Sequence, residues 1–497
     1  MMMKRLILIV PLFLLATAAG AASLSLPPEA ETREGALHAL NRLGFGPRPG
    51  EVDQVMAMGV GNWITRQLQP QTIPEPMALT ARLDSMSSLA ATDSELINHE
   101  TMLRKDKSDS GEAAHRDYNR TVLYEAQASR IDRALLSDRQ LQEALVGFWY
   151  NHFNVFRGKG YDTVWVGKFE NEAIRPYVLG NFRLLLEATA RHPAMLYYLD
   201  NWQNSAAGSR GRKGEEIGLN ENYARELMEL HTLGVNGGYT QKDVTELARI
   251  LTGWGLRDRA EPMRQAFGMQ RQADFSLVFD ISRHDYGDKV LLGQTIKGEG
   301  WREVERALDI LAASPATAKH LAFQLAQYFV ADEPDPHLVN SMATAYMRSG
   351  GNLTAVMRAM IESPVFWAPS TMGHKFKTPF EYAVSAMRAA AVAPENLQPV
   401  MGVLNQLGQP IYGHETPDGY KQVESAWLNP DAMARRLSFA TTLGSGHIAG
   451  QNFTVDDATI RTALPASLQP QTATALAQSD PQLRSALLLG SPDFMYR

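Results

Sequence analysis

Apolar residues recur at three- and four-residue spacing along most of the chain, which is the period of an amphipathic helix. The pattern is clearest in four segments, which begin at Glu51, Arg139, Ala316 and Phe380. Strand-like alternation is rare, but "DFSLVFD" alternates its apolar residues and could pair with "KVLLGQTI" in one short β-hairpin near residues 275–296. The pattern therefore predicts an all-α fold, a large multi-helix domain that allows one such hairpin.

The helical segments do not divide into separate groups, so residues 22–497 are predicted to form a single large helical domain. Three stretches that are small and polar, or that lack periodicity, predict loops or long connections at residues 203–218, 257–273 and 444–452. The charged stretch at residues 100–120 predicts an exposed helix or a flexible connector.

The first residues carry the pattern of a secretory signal peptide. Lys4 and Arg5 precede the apolar run "LILIVPLFLLA", and small residues follow it. The run is shorter than the roughly 20 residues that span a bilayer as a stable anchor. We therefore expect residues 1–21 to be a signal peptide that is cleaved after Ala21, with an uncleaved anchor as the alternative. The mature chain would be periplasmic or secreted, and it would meet a membrane only through the signal segment.

Composition narrows the possible chemistry. The chain of 497 residues has a net charge of -6, so it lacks the basic field that a nucleic-acid partner requires. It contains no cysteine, which excludes disulfides, thiolate metal sites and a cysteine nucleophile. The glycine-flanked serine of α/β-hydrolases, the P-loop and the HExxH zinc motif are also missing from the sequence.

One stretch, "NENYARELMELHTLGVNGGYTQKDVTELARILTGWG" from Asn220, combines helix boundaries with a dense set of polar residues. Asn220 suits an N-cap, and Gly234 suits the end of the same helix. Thr240 and Asp243 resemble a capping box that opens a second helix. Two capped helices therefore account for much of this stretch.

The polar residues of the first helix fall on one sector of a helical wheel, namely Glu221, Asn222, Arg225, Glu226 and Glu229. This sector is either a solvated face stabilised by i, i+4 ion pairs or one wall of a polar cleft. In a cleft, an arginine beside acids can clamp an anionic ligand or hold a carboxylate ionised. His231 falls among the apolar residues on the opposite side, so this helix alone does not form a metal site.

The same stretch closely resembles the signature of a large bacterial family, the domain of unknown function 1800 family. Further blocks resemble the family in the same order, among them "LNRLGFGPRPGEV", "GFWYNHFNV", "HDYGDKVLLGQTI", "KFKTPFEY" and "LGQPIYGHETPDGY". The resemblance covers residues 35–443 and leaves 444–497 as a C-terminal helical extension. It implies an exported and largely helical protein that is often encoded beside an exported sulfatase-like protein, which is then a candidate partner. It implies no established reaction.

Histidines in two other blocks are candidates for proton transfer. His152 ends an apolar helix, where it is either a satisfied core residue or projects into a polar site. In the second case Asn151 beside it would bind a ligand carbonyl. His284 and Asp285 lie on a predicted turn, where they are either local turn residues or a base and its neighbour on a functional loop.

Other residues are candidates for ligand binding. Lys375 forms a small cationic cluster with His374 and Lys377, which is either a solvated surface or a site for an anionic group. Tyr239 is one of many aromatic residues near these blocks, which either fill the core or form platforms for sugar rings and planar ligands. The segment "HETPDGY" from His414 is interpreted as a turn, with a functional loop as the alternative.

These residues combine into two hypotheses of different classes. The first is an exported enzyme, a hydrolase or lyase that acts on an extracytoplasmic substrate by acid–base chemistry. Glu226 would be the acid or base, Arg225 an electrostatic clamp and Asn222 a positioning group. His152, His231 or His284 would be proton-transfer partners. The second is a non-catalytic exported protein that binds the sulfatase-like partner, its polar motif being a buried network that specifies the fold.

The sequence assigns no metal ligands and leaves the cofactor open. A metal-assisted reaction would need histidine and aspartate ligands from separate segments, which spacing along the chain does not reveal.

Overall fold

The computed structural model describes residues 24–210, 216–256, 277–448 and 450–497. This part of the chain is built almost wholly of α-helices, so the predicted all-α fold is confirmed. The helices before residue 200 are α1 (Arg33–Arg42), α2 (Glu51–Met58), α3 (Val60–Gln67), α4 (Met77–Asp84), α5 (Ser87–Ala90), α6 (Asp93–Lys105), α7 (Asp109–Leu136), α8 (Gln140–His152), α9 (Asp162–Lys168), α10 (Phe182–Arg191) and α11 (Pro193–Tyr198).

The helices after residue 200 are α12 (Asn222–Glu229), α13 (Gln241–Ile250), α14 (Trp301–Ala312), α15 (Pro315–Phe329), α16 (Pro336–Arg348), α17 (Leu353–Ile361), α18 (Pro379–Ala389), α19 (Gln398–Gln406), α20 (Pro430–Gly444), α21 (Asp457–Arg461), α22 (Pro470–Gln478), α23 (Arg484–Leu489) and α24 (Pro492–Met495). Short 3-10 turns lie at Pro28–Glu31, Pro70–Thr72, Arg175–Tyr177, Asn201–Gln203, Glu424–Ala426 and Pro481–Leu483, and a π-helical turn at Phe169–Ile174.

The strands form four antiparallel pairs of two strands each within the described residues. They are β1 (Ser209–Arg210) with β2 (Glu216–Ile217), β3 (Trp254–Leu256) with β4 (Leu277–Phe279), β5 (Lys289–Leu291) with β6 (Gln294–Ile296), and β7 (His447–Ile448) with β8 (Gln451–Asn452).

The pairing near residues 275–296 differs from the one we expected. The "KVLLGQTI" segment folds back on itself as β5 and β6 and does not pair with β4. Leu292 and Gly293 form the two-residue turn, with φ of 49° and 77°. Positive φ at both central residues suits the tight turn of a hairpin. Because the local turn brings β5 and β6 together, β4 pairs with β3 at the end of the second motif helix.

Helix α7 is the longest of the described helices, and it packs against α4, α6, α9 and α18. One hydrophobic core connects these helices and includes residues from Ala30 to Met495. The C-terminal residues join this core, because Phe376 pairs with Tyr496 in an isolated β-bridge. Residues near both ends of the described chain are therefore held in the same core.

The helix–turn–helix at residues 220–255 forms as predicted, with small shifts at its boundaries. Helix α12 begins at Asn222, and Asn220 accepts a hydrogen bond from the Asn222 backbone at 3.0 Å. Gly234 adopts the left-handed conformation, with φ of 81°. The capping box of Thr240 and Asp243 opens α13. The capping box therefore sets the start of α13. For α12 the N-cap is Glu221 and not the predicted Asn220, the Glu221 side chain makes no capping hydrogen bond, and the helix ends at Glu229, before Gly234.

The predicted connections have different outcomes. Residues 100–105 belong to α6 and residues 109–120 to α7, so this stretch is helical apart from a short break at residues 106–108. Residues 203–218 contain the short pair β1–β2, and residues 444–452 contain the pair β7–β8. The loop predicted at 257–273 and the signal segment at 1–21 lie outside the described residues. Within the described part of the chain, no helix combines the length and apolar character needed to cross a membrane.

Candidate acid–base site

The polar side chains at α12 lie in two different environments. Glu221 and Arg225 face the neighbouring helix α13. Glu221 accepts hydrogen bonds from Thr245 and from Gln241, both at 2.7 Å, and Arg225 donates to the Gln241 side chain at 2.9 Å. The Arg225 side chain is 41% exposed and pairs with Glu221 at 3.3 Å. Arg225 therefore links two helices at the surface.

Glu226 occupies a different environment on the same helix, where it is half-buried. Burial raises the pKa of its carboxyl group, and the nearby charges of Glu229 and Asp418 raise it further, against an opposing effect of Arg225. Tyr239 donates a hydrogen bond to Glu229 at 3.2 Å. Glu226 therefore lies among acidic groups, and its environment favours the protonated form at a higher pH than usual.

Asp418 belongs to the connection between α19 and α20. Its surroundings favour the ionised carboxylate, whereas those of Glu226 favour the protonated carboxyl group. Burial alone would raise the pKa of Asp418, but hydrogen bonds from Lys421, Thr416 and His414 hold it at about 2. The lengths are 2.8 Å from Lys421 Nζ, 2.6 Å from Thr416 Oγ1 and 3.2 Å from His414 Nε2. Two neighbouring carboxyl groups therefore have pKa values displaced in opposite directions.

Two asparagines at the end of α8 fix the segment that carries Asp418. Asn151 accepts from the Tyr420 backbone N–H at 2.7 Å and donates to the Tyr420 carbonyl at 2.9 Å. Asn154 donates to the carbonyls of His414 and Thr416, at 3.0 and 2.8 Å. The side-chain amide of Asn151 is thus occupied by the protein backbone, and both asparagines act here as positioning residues.

Gly419 explains why this segment approaches α8 so closely. Its φ is 66°, and a Cβ atom there would lie 2.3 Å from the Asn151 carbonyl oxygen. A side chain at this position would therefore force the segment away from α8 and move the adjacent Asp418.

Tyr198 lies close enough to Glu226 and Asp418 for their charges to act on its hydroxyl. Its hydroxyl donates to the Glu415 carbonyl at 2.7 Å. Burial raises the pKa of Tyr198, as do the charges of Asp162, Glu226 and Asp418. Asn222, which is exposed, donates from its side chain to the Leu199 carbonyl at 3.2 Å. The start of α12 is thereby attached to the segment that supplies Tyr198.

His152 and His231 lie together in the core, with ring centroids 6.0 Å apart. His152 Nε2 lies 3.1 Å from the His231 carbonyl, and its Nδ1 lies 2.8 Å from the Gln324 side-chain amide. Burial lowers the pKa of His152 to about 3, and it places that of His231 well below the usual range. Both rings are therefore neutral and enclosed. Among the described residues, neither ring forms a hydrogen bond with Glu226.

His284 and Asp285 belong to a fourth environment. The His284 ring is fully buried, with Nε2 2.9 Å from Glu303 Oε1 and Nδ1 2.8 Å from the Thr252 carbonyl. Lys289 pairs with the same Glu303 at 2.5 Å. Asp285 instead forms a two-point ion pair with Arg249, at 2.7 and 3.1 Å. These contacts attach β5 to α13 and α14, and they leave no nitrogen of His284 available.

Lys375 is buried, which corrects the expectation of a solvated cationic surface. Its ammonium group contacts Asp332 and the Gln422 carbonyl. Burial lowers the pKa of Lys375, against the opposing effect of Asp332. Lys377 is also buried, whereas His374 is exposed. An aspartate from a distant segment therefore makes a buried lysine possible here.

The six candidate catalytic side chains thus occupy four separate environments. Glu226 is the candidate that lies near new polar groups, namely Asp418 and Tyr198, and His414 in turn donates to Asp418. The sequence analysis took His414 and Asp418 as turn residues, with a functional loop as the alternative, and did not single out Tyr198 as a site residue. The available signal was the spacing of His414 and Asp418, four positions apart, but only the fold brings them to α12.

Three further side chains, Asp93, Glu172 and His192, lie close enough together to bind a metal ion. One possible ligand atom from each lies within 4.8 Å of the other two. The chemistry of His192 does not suit this. Its Nδ1 accepts from the Ala194 backbone N–H at 3.2 Å, so the proton of the neutral ring is on Nε2, the atom that faces the carboxylates. Lys168 already pairs with Glu172 at 2.5 Å. The cluster therefore resembles an ion-pair network.

Comparisons with known proteins agree with the motif-based assignment. The family described as "Protein of unknown function (DUF1800)" matches residues 38–496. The match continues beyond residue 443, so the C-terminal helices are part of the family region and not an extension. No curated protein and no solved structure matches the chain. Since the match covers nearly the whole chain, the protein belongs to the DUF1800 family.

Proposed function

We propose that this protein is an exported acid–base enzyme, a hydrolase or lyase, with its reactive centre between Glu226 and Asp418. The proposal is carried by the contrast between the environments of two nearby carboxyl groups, one half-buried among acids and one held by three hydrogen bonds. Burial and negative neighbours raise the pKa of Glu226, while three hydrogen bonds hold that of Asp418 at about 2. Pairs of titratable groups whose environments separate their pKa values are typical of acid and base assignments in active sites.

In this proposal Glu226 is the general acid and Asp418 is the carboxylate. Glu226 transfers its proton to the leaving-group oxygen as the bond to that oxygen breaks. Asp418 removes a proton either from the attacking water, which gives hydrolysis, or from a substrate carbon, which gives elimination. The protons then exchange with solvent, which reaches both groups because Glu226 is half-buried and Asp418 is exposed.

The surroundings supply positioning for this chemistry. His414 donates to Asp418 and stacks near Tyr420, with ring centroids 4.6 Å apart. Lys421 provides a positive charge at 2.8 Å from the other oxygen of Asp418. Tyr198 lies near both carboxyl groups, whose charges raise its pKa. The signal-peptide pattern of residues 1–21 supports an extracytoplasmic substrate, such as a cell-surface polymer or one of its fragments.

The test compares purified residues 22–497 with two variants, Glu226→Gln and Asp418→Asn. Neutral polysaccharides, acidic polysaccharides and cell-wall fragments are offered, and new reducing ends and unsaturated products are measured separately. We expect each variant to lose about 10²- to 10⁴-fold in kcat/KM, the usual contribution of a general acid or base. Glu221→Gln is the matched control, because Glu221 lies on the same helix but bonds to α13.

Two outcomes would count against the proposal. Activity that survives in both variants would exclude these carboxyl groups as the acid and base. A folded wild-type chain that turns over nothing in these panels would favour the alternative function, binding of a co-exported sulfatase-like partner. The pH profile adds a third check, since activity should fall as pH rises through the pKa of Glu226.

A further inference from the structure

A cavity that neither Glu226 nor Asp418 lines lies beside the segment that carries Asp418. It has a volume of about 50 Å³ and is bounded by α7, α8, α15, α18 and residues 409–422. A buried water needs about 10–15 Å³ of such a volume, so the cavity has room for about three to four non-hydrogen atoms. Gln409 and Gln422 at its edge are part-exposed, which gives a small solute a route inward.

Arg130 is the charged group with unused hydrogen-bonding capacity in this cavity. Its Nη1 lies 3.3 Å from Glu170, and it makes no hydrogen bond to another group within the described residues. The rings of Tyr150, Phe380 and Tyr412 surround its guanidinium, with centroids 5.3 to 5.5 Å away. A guanidinium group carries five N–H donors. Arg130 therefore presents free donors inside an aromatic enclosure.

The charges next to Arg130 do not balance. Glu170 is shared, because it also accepts from Arg175 at 3.0 Å and from the Tyr412 hydroxyl at 3.0 Å. The group of linked charges contains three guanidinium groups and two carboxylates: Arg130, Arg133, Arg175, Glu143 and Glu170. Glu75, which also faces Arg133, is itself paired with Arg139 at 3.4 Å. Among the described residues, this group of charges therefore carries one more positive than negative charge.

The acidic side chain on the opposite wall of the cavity, Glu381, already has partners. Glu381 is paired with Arg497 at 2.6 Å and accepts from the Thr378 backbone N–H at 2.9 Å. It therefore does not compete for Arg130. We infer that the cavity is a binding site for one small carboxylate, either a free monocarboxylate or the carboxylate end of a longer molecule, held by the guanidinium of Arg130. Arginine suits this ligand because its planar fork matches the two carboxylate oxygens.

Gly147 provides a test that does not remove the arginine. It lies within α8, and a Cβ atom there would be 3.4 Å from Arg130 Nη2 and 4.0 Å from the Tyr328 hydroxyl. Gly147→Ala therefore places a methyl group between these two atoms without a steric clash, at a helical position that alanine favours. Gly402→Ala is the matched control, because Gly402 lies within α19 and has open space around it.

The experiment measures thermal unfolding and calorimetric titration of the full chain with sodium acetate at constant ionic strength, in a buffer without carboxylates. We expect acetate to bind saturably to the wild type and to Gly402→Ala, and to raise the unfolding temperature of both. Gly147→Ala and Arg130→Gln should bind acetate about ten-fold more weakly or worse, as expected when charge-assisted hydrogen bonds are lost. Succinate monomethyl ester serves as the probe for a longer molecule that ends in one carboxylate.

Several results would overturn the inference. They are an absence of saturable acetate binding, unchanged binding by Gly147→Ala, binding of neutral acetamide as tight as that of acetate, and binding of phosphate tighter than that of acetate. If Arg130→Gln does not fold, Gly147→Ala still decides the result. Tighter binding of acetate than of the succinate ester identifies a free monocarboxylate as the ligand, and the reverse order identifies a carboxylate end group.

Discussion

His152 Nε2 donates a hydrogen bond to the main-chain carbonyl of His231, 3.1 Å away, in the core behind α12. His320 lies in the same group, with its ring centroid 6.3 Å from that of His152 and its Nε2 3.1 Å from the Leu230 carbonyl. Burial lowers the pKa of all three rings. The turn after α12 is therefore supported by histidines that are neutral in the folded state.

This arrangement predicts loss of stability in mild acid. In the unfolded chain these histidines bind protons below a pKa of about 6.5, whereas folded His152 does so only at about 3. The stability that depends on the neutral ring is therefore present above about pH 6.5 and is lost as pH falls toward the folded value. Each such ring should cost about 1.4 kcal/mol per pH unit in this window. Urea unfolding between pH 7.5 and 5 measures the slope, and His152→Gln should reduce it.

Two glutamates on α12 should respond oppositely to removal of their charge. The folded pKa of Glu226 is raised, so its ionised form opposes folding above that pKa, and Glu226→Gln should gain up to about 1 kcal/mol at pH 7. The pKa of Glu221 is lowered, chiefly by the hydrogen bond from Thr245, so Glu221→Gln should lose a similar amount. The gain in Glu226→Gln should vanish below about pH 4, where this carboxyl group is protonated in both states, whereas the loss in Glu221→Gln should disappear only as pH falls through the lowered pKa of folded Glu221. Equal signs for the two variants would contradict this account.

The buried ion pair of Glu303 and Lys289 should be costly to break from one side. Both side chains are fully buried, and Glu303 also contacts His284. Glu303→Gln leaves the Lys289 charge without its counter-ion, and a loss of about 3–5 kcal/mol in unfolding free energy is expected. The exposed pair of Asp288 and Lys297 is the control, and Asp288→Asn should change stability by less than about 0.5 kcal/mol. Chemical denaturation of both variants decides between these magnitudes.

Asn154 should control the order of the segment that carries Asp418. Its replacement by alanine removes the donor to the carbonyls of His414 and Thr416, which costs about 1–3 kcal/mol if the carbonyls stay unpaired. Faster amide hydrogen exchange at residues 413–419 is expected, with little change elsewhere. Asn62→Ala is the control, because Asn62 is exposed and donates to the Met58 carbonyl at the end of α2, with no bond to residues 413–419 among the described contacts. Unchanged exchange at 413–419 would show that other contacts hold the segment.

Local patterns were sufficient for the helices but not for their partners. The capping box of Thr240 and Asp243 and the buried face with Tyr223 and Leu227 follow from residues a few positions apart. By contrast, the pairing of β4 with β3 depends on a turn at Leu292 and Gly293 that closes a competing hairpin. The alternation of residues within one strand does not indicate which strand it pairs with, so this part of the fold was not predicted.

The same limit applies to the candidate site. Glu226 was identified from the helical wheel, but Asp418 was taken as a turn residue because its neighbours are proline and glycine. Lys375 was expected either at a solvated surface or in a site for an anionic group, whereas Asp332 and the Gln422 carbonyl bind it in the folded chain. Charge partners from distant segments decide whether an ionisable residue is buried, and a single sequence does not supply them.

The segment between α19 and α20 touches two places at once, and this has a thermodynamic consequence. Gln409 and Gln422 border the Arg130 cavity, while Asp418 between them faces Glu226. A ligand that shifts this segment from one side changes the geometry presented on the other. If a carboxylate bound in the cavity changes the affinity for substrate by some factor, then bound substrate must change the affinity for that carboxylate by the same factor. The two sites would then be reciprocal effectors of one another.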